Sequence, residues 1–425
     1  MLEKTKPRIT TTASHQYGSL TRLLKNKVFS KLDKISFGTL TINDPEGSYH
    51  FGIKKEGSEN IHAKINVNDM DFYRSVAFGG ALGAAESYIK NIWDSEDLLN
   101  LVRIMVRNES LLVNLETGLA WLHKPMALIS HYLNKNSRSG SKNNIAAHYD
   151  LSNDLFAQFL DPEMMYSAAY FEANTTSLEE ASIAKLERIC KKLDLKKDDH
   201  VLEIGSGWGG FAIYAAKNYG CTVTTTTISE QQYSYAKTKI RESGLENKIN
   251  LLKSDYRDLT GKYDKLVSIE MIEAVGADFL DKYTEKCSEL LKEDGVFVLQ
   301  AITINDQIYD RALQEVDFIK KYIFPGSFIP STHAIIDSTK RSSDLRLYHF
   351  DDMSNHYART LLEWRKRFLE NRQNIMQLGK DEKFIRMWNY YFCYCAGGFI
   401  ERSIGSVQMI FGKPLFRKEI NQNNF

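Results

Sequence analysis

An acidic residue followed by regularly spaced glycines is the strongest chemical signal in the sequence. Residues 201–210 (VLEIGSGWGG) form an apolar strand that contains Glu203, and then a turn that contains Gly205, Gly207 and Gly209. Glycine tolerates positive φ angles and lets the backbone approach a ligand closely. A strand, a glycine-rich turn and a following helix together predict a site for a nucleotide-bearing ligand.

The same kind of turn also binds dinucleotides, and two details of the sequence argue against that alternative. Dinucleotide sites usually carry an acidic residue at the end of the second strand, where it holds a ribose hydroxyl. Here the second strand ends at residues 224–229 (TTTTIS), which contain no acid. The carboxylate of Glu203 also suits a zwitterionic amino-acid moiety better than a pyrophosphate. The pattern therefore favours a ligand with an amino-acid end over NAD.

Strands and helices alternate around this turn. Strands are predicted at residues 200–204, 222–228, 249–252, 265–269 and 296–302, and helices at 211–219, 230–243 and 279–291. Two later strands are expected at 345–350 and 406–411. Such strand–helix–strand units build a parallel sheet with helices on both faces. The expected fold class is therefore α/β.

The N-terminal part of the chain has a different pattern. Short strands are predicted at residues 38–42, 49–53 and 63–67, and helices at 72–78, 81–92, 97–107 and 117–133. Together they predict a small α+β domain at residues 1–133, in which residues 1–35 show no strong pattern. Residues 134–144 (NKNSRSGSKNN) are polar and are expected to form a linker. A catalytic domain is then expected at residues 145–425.

Charge and cysteine content exclude several classes of protein. The 55 basic and 54 acidic residues leave a formal net charge of +1, so no global field attracts nucleic acid. The five cysteines are scattered, and no Cys/His spacing indicates a disulfide framework or a metal site. No segment approaches the ~18 apolar residues that a membrane-spanning helix needs. A cytoplasmic location is expected.

Eight short segments form an ordered set between residues 140 and 413. They are residues 148–156 (HYDLSNDLF), 165–171 (MYSAAYF), 203–210, 227–232 (TISEQQ), 255–258 (DYRD), 270–276 (EMIEAVG), 321–326 (KYIFPG) and 394–399 (YCAGGF). The set resembles the cyclopropane-fatty-acid synthase and mycolic-acid cyclopropane synthase family. This resemblance implies a Rossmann-like class I methyltransferase domain that uses S-adenosylmethionine (AdoMet), with helical insertions. It also implies that the N-terminal domain is a small lipid-binding domain.

The resemblance implies where AdoMet binds. The first segment contains His148, to which we assign no specific role. The residues that match cofactor-binding positions of the family are Tyr166, Ser167, Glu203, Gly205, Ser206, Gly207, Trp208, Gly209, Thr227, Gln232, Tyr256 and Arg257.

The resemblance also implies an anion site. Glu273, Tyr357 and Cys395 match family positions around a bicarbonate ion, which acts there as the general base. Two further positions depart from the family: Ala168 stands where Cys is frequent, and Gln300 stands where His is frequent. A backbone N–H near Ala168 and the side-chain amide of Gln300 can still donate hydrogen bonds. We therefore include both residues in the predicted catalytic site.

The implied reaction adds a methylene group to the cis double bond of an unsaturated phospholipid acyl chain and forms a cyclopropane ring. An alkene is a weak nucleophile and reacts only with a strong electrophile that is held in line with it. A base must then remove a proton from the new methyl group so that the ring closes. A protein carboxylate could instead collapse onto the carbocation as an ester, which favours a small bound ion as the base.

Two alternative activities stay open. The first is a fatty-acyl C-methyltransferase that yields a methylene- or methyl-branched chain, and the second is a small-molecule N-methyltransferase on the same fold. The expected partners are membrane phospholipid acyl chains, reached by peripheral contact with the inner face of the membrane. Nucleic acid is not an expected partner, and a homodimer is left open.

Overall fold

The computed structural model describes residues 18–53, 59–109, 151–172 and 177–419. These residues form two compact units. The smaller unit combines the described residues up to 109 with residues 315–319 and 379–401, and the larger unit contains the other described residues. The helix expected at 117–133, the linker expected at 134–144 and His148 lie outside the described residues. The domain boundary near residue 133 therefore stays a prediction.

The smaller unit is an α+β structure. Its N-terminal elements are α1 (Ser19–Leu32), β1 (Gly38–Asp44), β2 (Gly47–Ile53), β3 (His62–Val67), α2 (Asp71–Ile89), β4 (Trp93–Asp94) and α3 (Leu98–Arg107). The four strands form one sheet in the order β2-β1-β3-β4, in which β1 and β3 are parallel. The span of α2 contains the two helices expected at 72–78 and 81–92, and the break between them is confirmed, because Gly80 adopts a non-helical conformation with φ 56° and ψ -138°.

One helix from the range 145–425, which is predicted to be the catalytic domain, belongs to the smaller unit. The helix α13 (Glu382–Ile400) lies in the smaller unit. It packs against α3, where a Cβ atom built on Gly397 would come within 2.6 Å of Val102 Cγ1. Only glycine fits at such a contact. Because glycine has no side chain, Gly397 allows two helices of the smaller unit to pack closely.

The larger unit alternates helices and strands. Its elements are α4 (Asn153–Phe156), α5 (Leu178–Leu193), β5 (His200–Ile204), α6 (Gly210–Tyr219), β6 (Thr222–Thr227), α7 (Glu230–Glu242), β7 (Ile249–Lys253), β8 (Tyr263–Ile269), α8 (Leu280–Leu290), β9 (Leu291–Ile304), α9 (Tyr309–Leu313), α10 (Thr332–Ser342), β10 (Arg346–Asp352), α11 (Ser354–Glu370), α12 (Arg372–Gln377) and β11 (Ile404–Gly412).

The seven strands form one sheet in the order β10-β11-β9-β8-β5-β6-β7. The strands β5 to β9 run parallel, which confirms the expected α/β class. The strands β10 and β11 join antiparallel at the β9 edge, and Gln408 of β11 lies opposite Gln300 of β9. The carboxyl ends of parallel strands meet at one edge of a sheet, where α/β proteins bind their ligands.

Within these described ranges, no helix is both long enough and apolar enough to cross a bilayer.

Candidate functional site

The glycine turn lies between β5 and α6 and requires glycine at three positions. Gly205, Gly207 and Gly209 have φ angles of 98°, 49° and 95°. A Cβ atom on Gly205 would lie 3.1 Å from Met271 Cγ, whereas one on Gly207 would meet no atom within 4 Å. The turn is therefore packed on the β8 side at Gly205 and faces open space at Gly207.

The turn is also tied to the neighbouring strand. The backbone N–H groups of Gly205 and Ser206 both donate to the Thr226 carbonyl oxygen, at 3.1 and 2.9 Å. The indole N–H of Trp208 donates to Asn153 Oδ1 at 2.7 Å. These bonds fix the turn before any ligand arrives, and such preorganisation lowers the entropy cost of binding.

The acidic residue of the motif is buried inside the sheet. Glu203 is 2% exposed, and its Oε2 accepts a hydrogen bond of 2.5 Å from Thr225 Oγ1 on β6. Burial raises the pKa of Glu203 to about 7, while the Thr225 bond and the charge of Lys185 lower it. In this structure, the observed partner of Glu203 is therefore a strand residue, and its contact with an amino-acid moiety stays a prediction.

The other residues assigned to AdoMet lie around the same strand ends. The ring of Tyr166 packs at 5.2 Å between centroids against both Phe156 and Trp364. The hydroxyl of Thr227 donates to Gln232 Oε1 at 2.9 Å, and both residues are buried. These contacts hold polar and aromatic groups in fixed positions next to the glycine turn.

Two further predicted residues follow β7. The hydroxyl of Tyr256 is buried and has no hydrogen-bond partner among the described residues. The guanidinium of Arg257 donates to both carboxylate oxygens of Asp255, at 2.8 and 2.7 Å. A buried polar group without a partner is costly and marks a place where a ligand can bind.

AdoMet fits this set of residues. The open space at Gly207, the buried hydroxyl of Tyr256 and the amide of Gln232 provide a cradle and polar groups at the carboxyl ends of β5, β6 and β7. The residues that would hold AdoMet are those assigned from the sequence, from Tyr166 to Arg257. When bound, AdoMet supplies an electrophilic methyl group.

A second group of residues surrounds the carboxylate of Glu270. Glu270 Oε1 accepts hydrogen bonds from the Ala168 backbone N–H and from Gln300 Nε2, each at 2.8 Å. Glu270 Oε2 accepts a third bond from the Tyr357 hydroxyl, also at 2.8 Å. The structure thus gathers Ala168, Gln300 and Tyr357 around a side chain to which the sequence analysis gave no role.

The amide of Gln300 is held in one orientation by a chain of hydrogen bonds. Lys192 Nζ donates to Gln408 Oε1 at 2.7 Å, and Gln408 Nε2 donates to Gln300 Oε1 at 2.9 Å. An ammonium group can only donate, so the oxygen of Gln408 must face Lys192 and its nitrogen must face Gln300. The amino group of Gln300 must then face Glu270.

Glu273 lies beside this group, in a short turn at Ile272–Ala274. Its Oε1 accepts the Ile302 backbone N–H at 2.5 Å, whereas its Oε2 is buried with no partner in the described part of the chain. Burial and the nearby charge of Glu270 raise the pKa of Glu273 to about 8. Glu273 therefore keeps its proton near neutral pH, and one of its oxygens is left for a ligand.

A buried lysine that was not predicted from the sequence interacts with residues of both the AdoMet group and the Glu270 group. Lys185 of α5 is 0% exposed, and its Nζ donates to Ser167 Oγ at 3.0 Å. Burial lowers the pKa of Lys185 to about 8, while the charges of Glu270, Asp161 and Glu203 raise it. The signal was a lysine within the apolar stripe of a helix, where a charge needs a partner.

The last predicted site residue lies in the other compact unit. Cys395 belongs to α13, and burial and the charge of Asp317 raise the pKa of its thiol. Tyr394 in the same helix donates to Asp317 Oδ2 at 3.4 Å. The thiol is thus a poor nucleophile, because nucleophilic attack needs the thiolate. Its assignment to the anion site stays a prediction.

The bicarbonate ion implied by the resemblance does not fit the donors that the structure presents. Three of the donors it would use, on Ala168, Gln300 and Tyr357, already bind the carboxylate of Glu270. A second anion in that place would face a like charge at close range, which is unfavourable. These three donors are thus already occupied without an added ion.

Comparisons with known proteins identify the family. The family model described as mycolic acid cyclopropane synthetase matches residues 136–409. A cyclopropane-fatty-acyl-phospholipid synthase from Escherichia coli is 37% identical over 364 residues, which cover 85% of this chain and 90% of that protein. The tuberculostearic acid methyltransferase UfaA1 from Mycobacterium tuberculosis is 37% identical over 333 residues, which cover 77% of each protein.

The solved structures agree with the sequence comparisons. The mycolic acid cyclopropane synthase CmaA1, in a complex with SAH and CTAB, superposes with a TM-score of 0.60 and 30% identity. The superposition covers 64% of this chain and 98% of that chain. It confirms the expected Rossmann-like methyltransferase fold. The chain therefore belongs to the mycolic acid cyclopropane synthetase family and is an AdoMet-dependent methyltransferase.

Proposed function

We propose that this enzyme adds a methylene group to the cis double bond of an unsaturated phospholipid acyl chain and closes a cyclopropane ring. The observation that carries the proposal is the pair of buried carboxylates, Glu270 and Glu273, directly after β8 and next to the glycine turn. A methyltransferase that only moves a methyl group to a nucleophile needs no base beyond the one that activates that nucleophile. A ring closure needs a base at the new methyl group itself.

The residues of the chain perform three tasks in this proposal. The glycine turn and Tyr166 would hold AdoMet, which would supply an electrophilic methyl group to an alkene held at short range. The ring of Tyr166 is held in place by the buried rings of Phe156 and Trp364, and in this proposal its π face stabilises the carbocation. A carboxylate-type base beside them accepts the proton that the new methyl group loses.

The choice of a phospholipid acyl chain rests on the relatives. The Escherichia coli relative is named a cyclopropane-fatty-acyl-phospholipid synthase and covers 85% of this chain. The name of the Mycobacterium tuberculosis relative, tuberculostearic acid methyltransferase, favours the branched-chain product as the second candidate. We also propose contact with the membrane surface, because the substrate is part of a lipid layer. Bicarbonate is the alternative to a base that belongs to the chain.

The test is an incubation of the purified enzyme with AdoMet and vesicles of a cis-monounsaturated phospholipid. We expect an acyl product that is heavier by one CH₂ unit and that survives mild hydrogenation, as a cyclopropane does. Vesicles of the fully saturated phospholipid of equal chain length are the matched control and should give no product. A product that takes up hydrogen under the same conditions is an exocyclic methylene and supports the branched-chain candidate instead.

The N-methyltransferase alternative has a separate readout in the same assay. Enzymes of that class share the fold, and fold likeness alone does not choose between them. AdoMet turnover that needs an added amine and leaves the acyl chains unchanged would contradict the lipid proposal.

A further inference from the structure

We propose that the carboxylate of Glu270 is the base that closes the ring, so that this enzyme does not need a bicarbonate ion. The inference rests on the proposed function, which supplies the carbocation. It deepens that function by naming the group that accepts the proton.

The first support is the convergence of three donors on one carboxylate. The Ala168 N–H, the Gln300 amide and the Tyr357 hydroxyl each lie 2.8 Å from an oxygen of Glu270. These are three of the five positions that the family resemblance assigns to a bound anion. Glu270 thus brings a carboxylate, which resembles bicarbonate in charge and shape, to the place where the ion was expected.

The second support is the polarity of the hydrogen-bond chain behind Gln300. Lys192 fixes Gln408, and Gln408 fixes Gln300, so the Gln300 amide can only donate toward Glu270. Lys192 itself is bound by Asp351 at 2.9 Å, which keeps the ammonium charge in place. Because each member of this hydrogen-bond series donates to the next, the last one needs an acceptor. An ionised carboxylate is the strongest acceptor among protein side chains.

The third support is the backbone of Glu270. Its φ is 49°, in the left-handed region that side chains other than glycine seldom adopt. Its N–H donates to the Gln300 carbonyl oxygen at 2.8 Å, which holds the residue in this conformation. Backbone strain of this kind is concentrated at functional positions. The fold therefore holds a glutamate where a glycine would be less strained.

The neighbouring carboxylate has the complementary protonation state. Glu273 has one donor, from Ile302, whereas Glu270 has three donors and the nearby ammonium of Lys185. Burial raises the pKa of Glu270 too, but the three donors and the charge of Lys185 each lower it, whereas the charge of Glu270 raises the pKa of Glu273. The surroundings therefore favour the proton on Glu273 and the charge on Glu270. Paired carboxylates in different surroundings divide acid and base roles in this way.

The three donors also answer the objection that a protein carboxylate would trap the cation as an ester. Both oxygens of Glu270 are engaged by donors that hold its plane and reduce its nucleophilicity. A proton needs only one free lone pair at the edge of the carboxylate. An ester requires an oxygen to leave its hydrogen bonds and approach a carbon.

The electrons balance without another reactant. The C–S bond breaks with its pair left on sulfur, and the alkene π pair forms the first new C–C bond. Glu270 then accepts a proton from the transferred methyl group, and the pair of that C–H bond forms the C–C bond that closes the ring. The proton returns to solvent when the product leaves.

The test compares wild type with Glu270→Gln and Glu270→Gly in buffer freed of carbon dioxide, with and without added bicarbonate or formate. We expect the wild-type rate to be the same with and without bicarbonate. Glu270→Gln should lose about 10²-fold or more of the rate, as expected for removal of a general base. Glu270→Gly should lose as much and regain part of the rate with either small anion, because the glycine leaves room for it.

Two controls make the result interpretable. Glu293→Gln removes an exposed carboxylate and should keep the wild-type rate. Binding of S-adenosylhomocysteine by each variant shows that the fold and the cofactor site are intact. A wild-type rate that falls without bicarbonate, or a Glu270→Gln variant that keeps its rate, overturns the Glu270 inference alone. A wild-type enzyme that forms no acyl product overturns the proposed function as well.

Discussion

Gln408 and Gln300 lie opposite each other on antiparallel strands, and the amide nitrogen of Gln408 donates to the amide oxygen of Gln300 at 2.9 Å. Lys192 fixes the orientation of the Gln408 amide, and this bond fixes the orientation of the Gln300 amide, which then donates to Glu270. It predicts that Gln408 acts as a positioning residue, although it touches neither AdoMet nor lipid in the proposed arrangement.

The variant Gln408→Glu tests this role, because it keeps the size of the side chain but cannot donate to Gln300. The amide of Gln300 should then rotate and present its oxygen to Glu270. A lost or inverted buried hydrogen bond costs ~1–3 kcal/mol, which corresponds to about a tenfold or larger fall in kcat. The KM for AdoMet should stay unchanged. Gln377→Glu, at an exposed position, is the control, and equal kcat values in the two variants would refute the role.

Alanine substitutions at Gly207 and Gly244 should cause similar backbone strain but differ in their effect on ligand binding. Gly207 and Gly244 have φ angles of 49° and 65°, and a Cβ atom on either would meet no atom within 4 Å. Each substitution should therefore cost a similar ~1–2 kcal/mol of folding free energy. Only Gly207→Ala should weaken binding of S-adenosylhomocysteine, by about tenfold or more. Calorimetric titration of both variants decides the matter, and equal affinities would argue against a ligand at Gly207.

Glu273 predicts a specific dependence of stability on pH. Its pKa is raised from 4.5 to about 8, so between these values the folded protein holds a proton that the unfolded chain has lost. Unfolding then releases a proton, and this contribution to the free energy of unfolding falls as the pH rises through that window. Glu273→Gln removes the effect, so the variant should gain at least ~1 kcal/mol relative to wild type across it. Denaturant unfolding at several pH values measures this, with Glu293→Gln as control. Parallel curves for wild type and Glu273→Gln would show the assignment to be wrong.

Lys185 predicts a shift in the pH dependence of the rate. Its buried ammonium favours the ionised form of Glu270, so Lys185→Met should raise the pKa of Glu270 further. The acidic limb of the pH–kcat profile should then move to higher pH. Lys191→Met, at an exposed position of the same helix, should leave the profile where it is. An unchanged pH–kcat profile in Lys185→Met would show that Lys185 does not affect the ionisation of Glu270.

The sequence predicted the parts of the molecule that depend on local pattern. The strand before the glycine turn follows from an apolar run and a turn with three positive φ angles. The helix α1 was missed because its buried positions, Leu24, Val28 and Leu32, are embedded among lysines. The break within α2 was predicted, because Gly79 and Gly80 interrupt its apolar pattern and Gly80 adopts a non-helical conformation.

The role of Glu270 could not be predicted in the same way. Its partners are separated from it by 102, 30 and 87 residues along the chain, and they lie on a loop, a strand and a helix that meet only in the folded protein. The motif at 270–276 contains two glutamates, and the family resemblance drew attention to Glu273 alone. The pairing of β9 with β8 and β11 places Gln300 beside Glu270, and the folded structure was needed to show that Ala168 and Tyr357 reach the same carboxylate.

The most direct measurement is a pair of crystal structures, of wild type and of Glu270→Gly, both grown with a high concentration of bicarbonate. The wild-type structure should show the Glu270 carboxylate bound to Ala168, Gln300 and Tyr357, with no ion on those donors. The Glu270→Gly structure should show a bound anion in the place of the carboxylate. A wild-type structure in which bicarbonate occupies those donors and Glu270 has turned away would contradict the account.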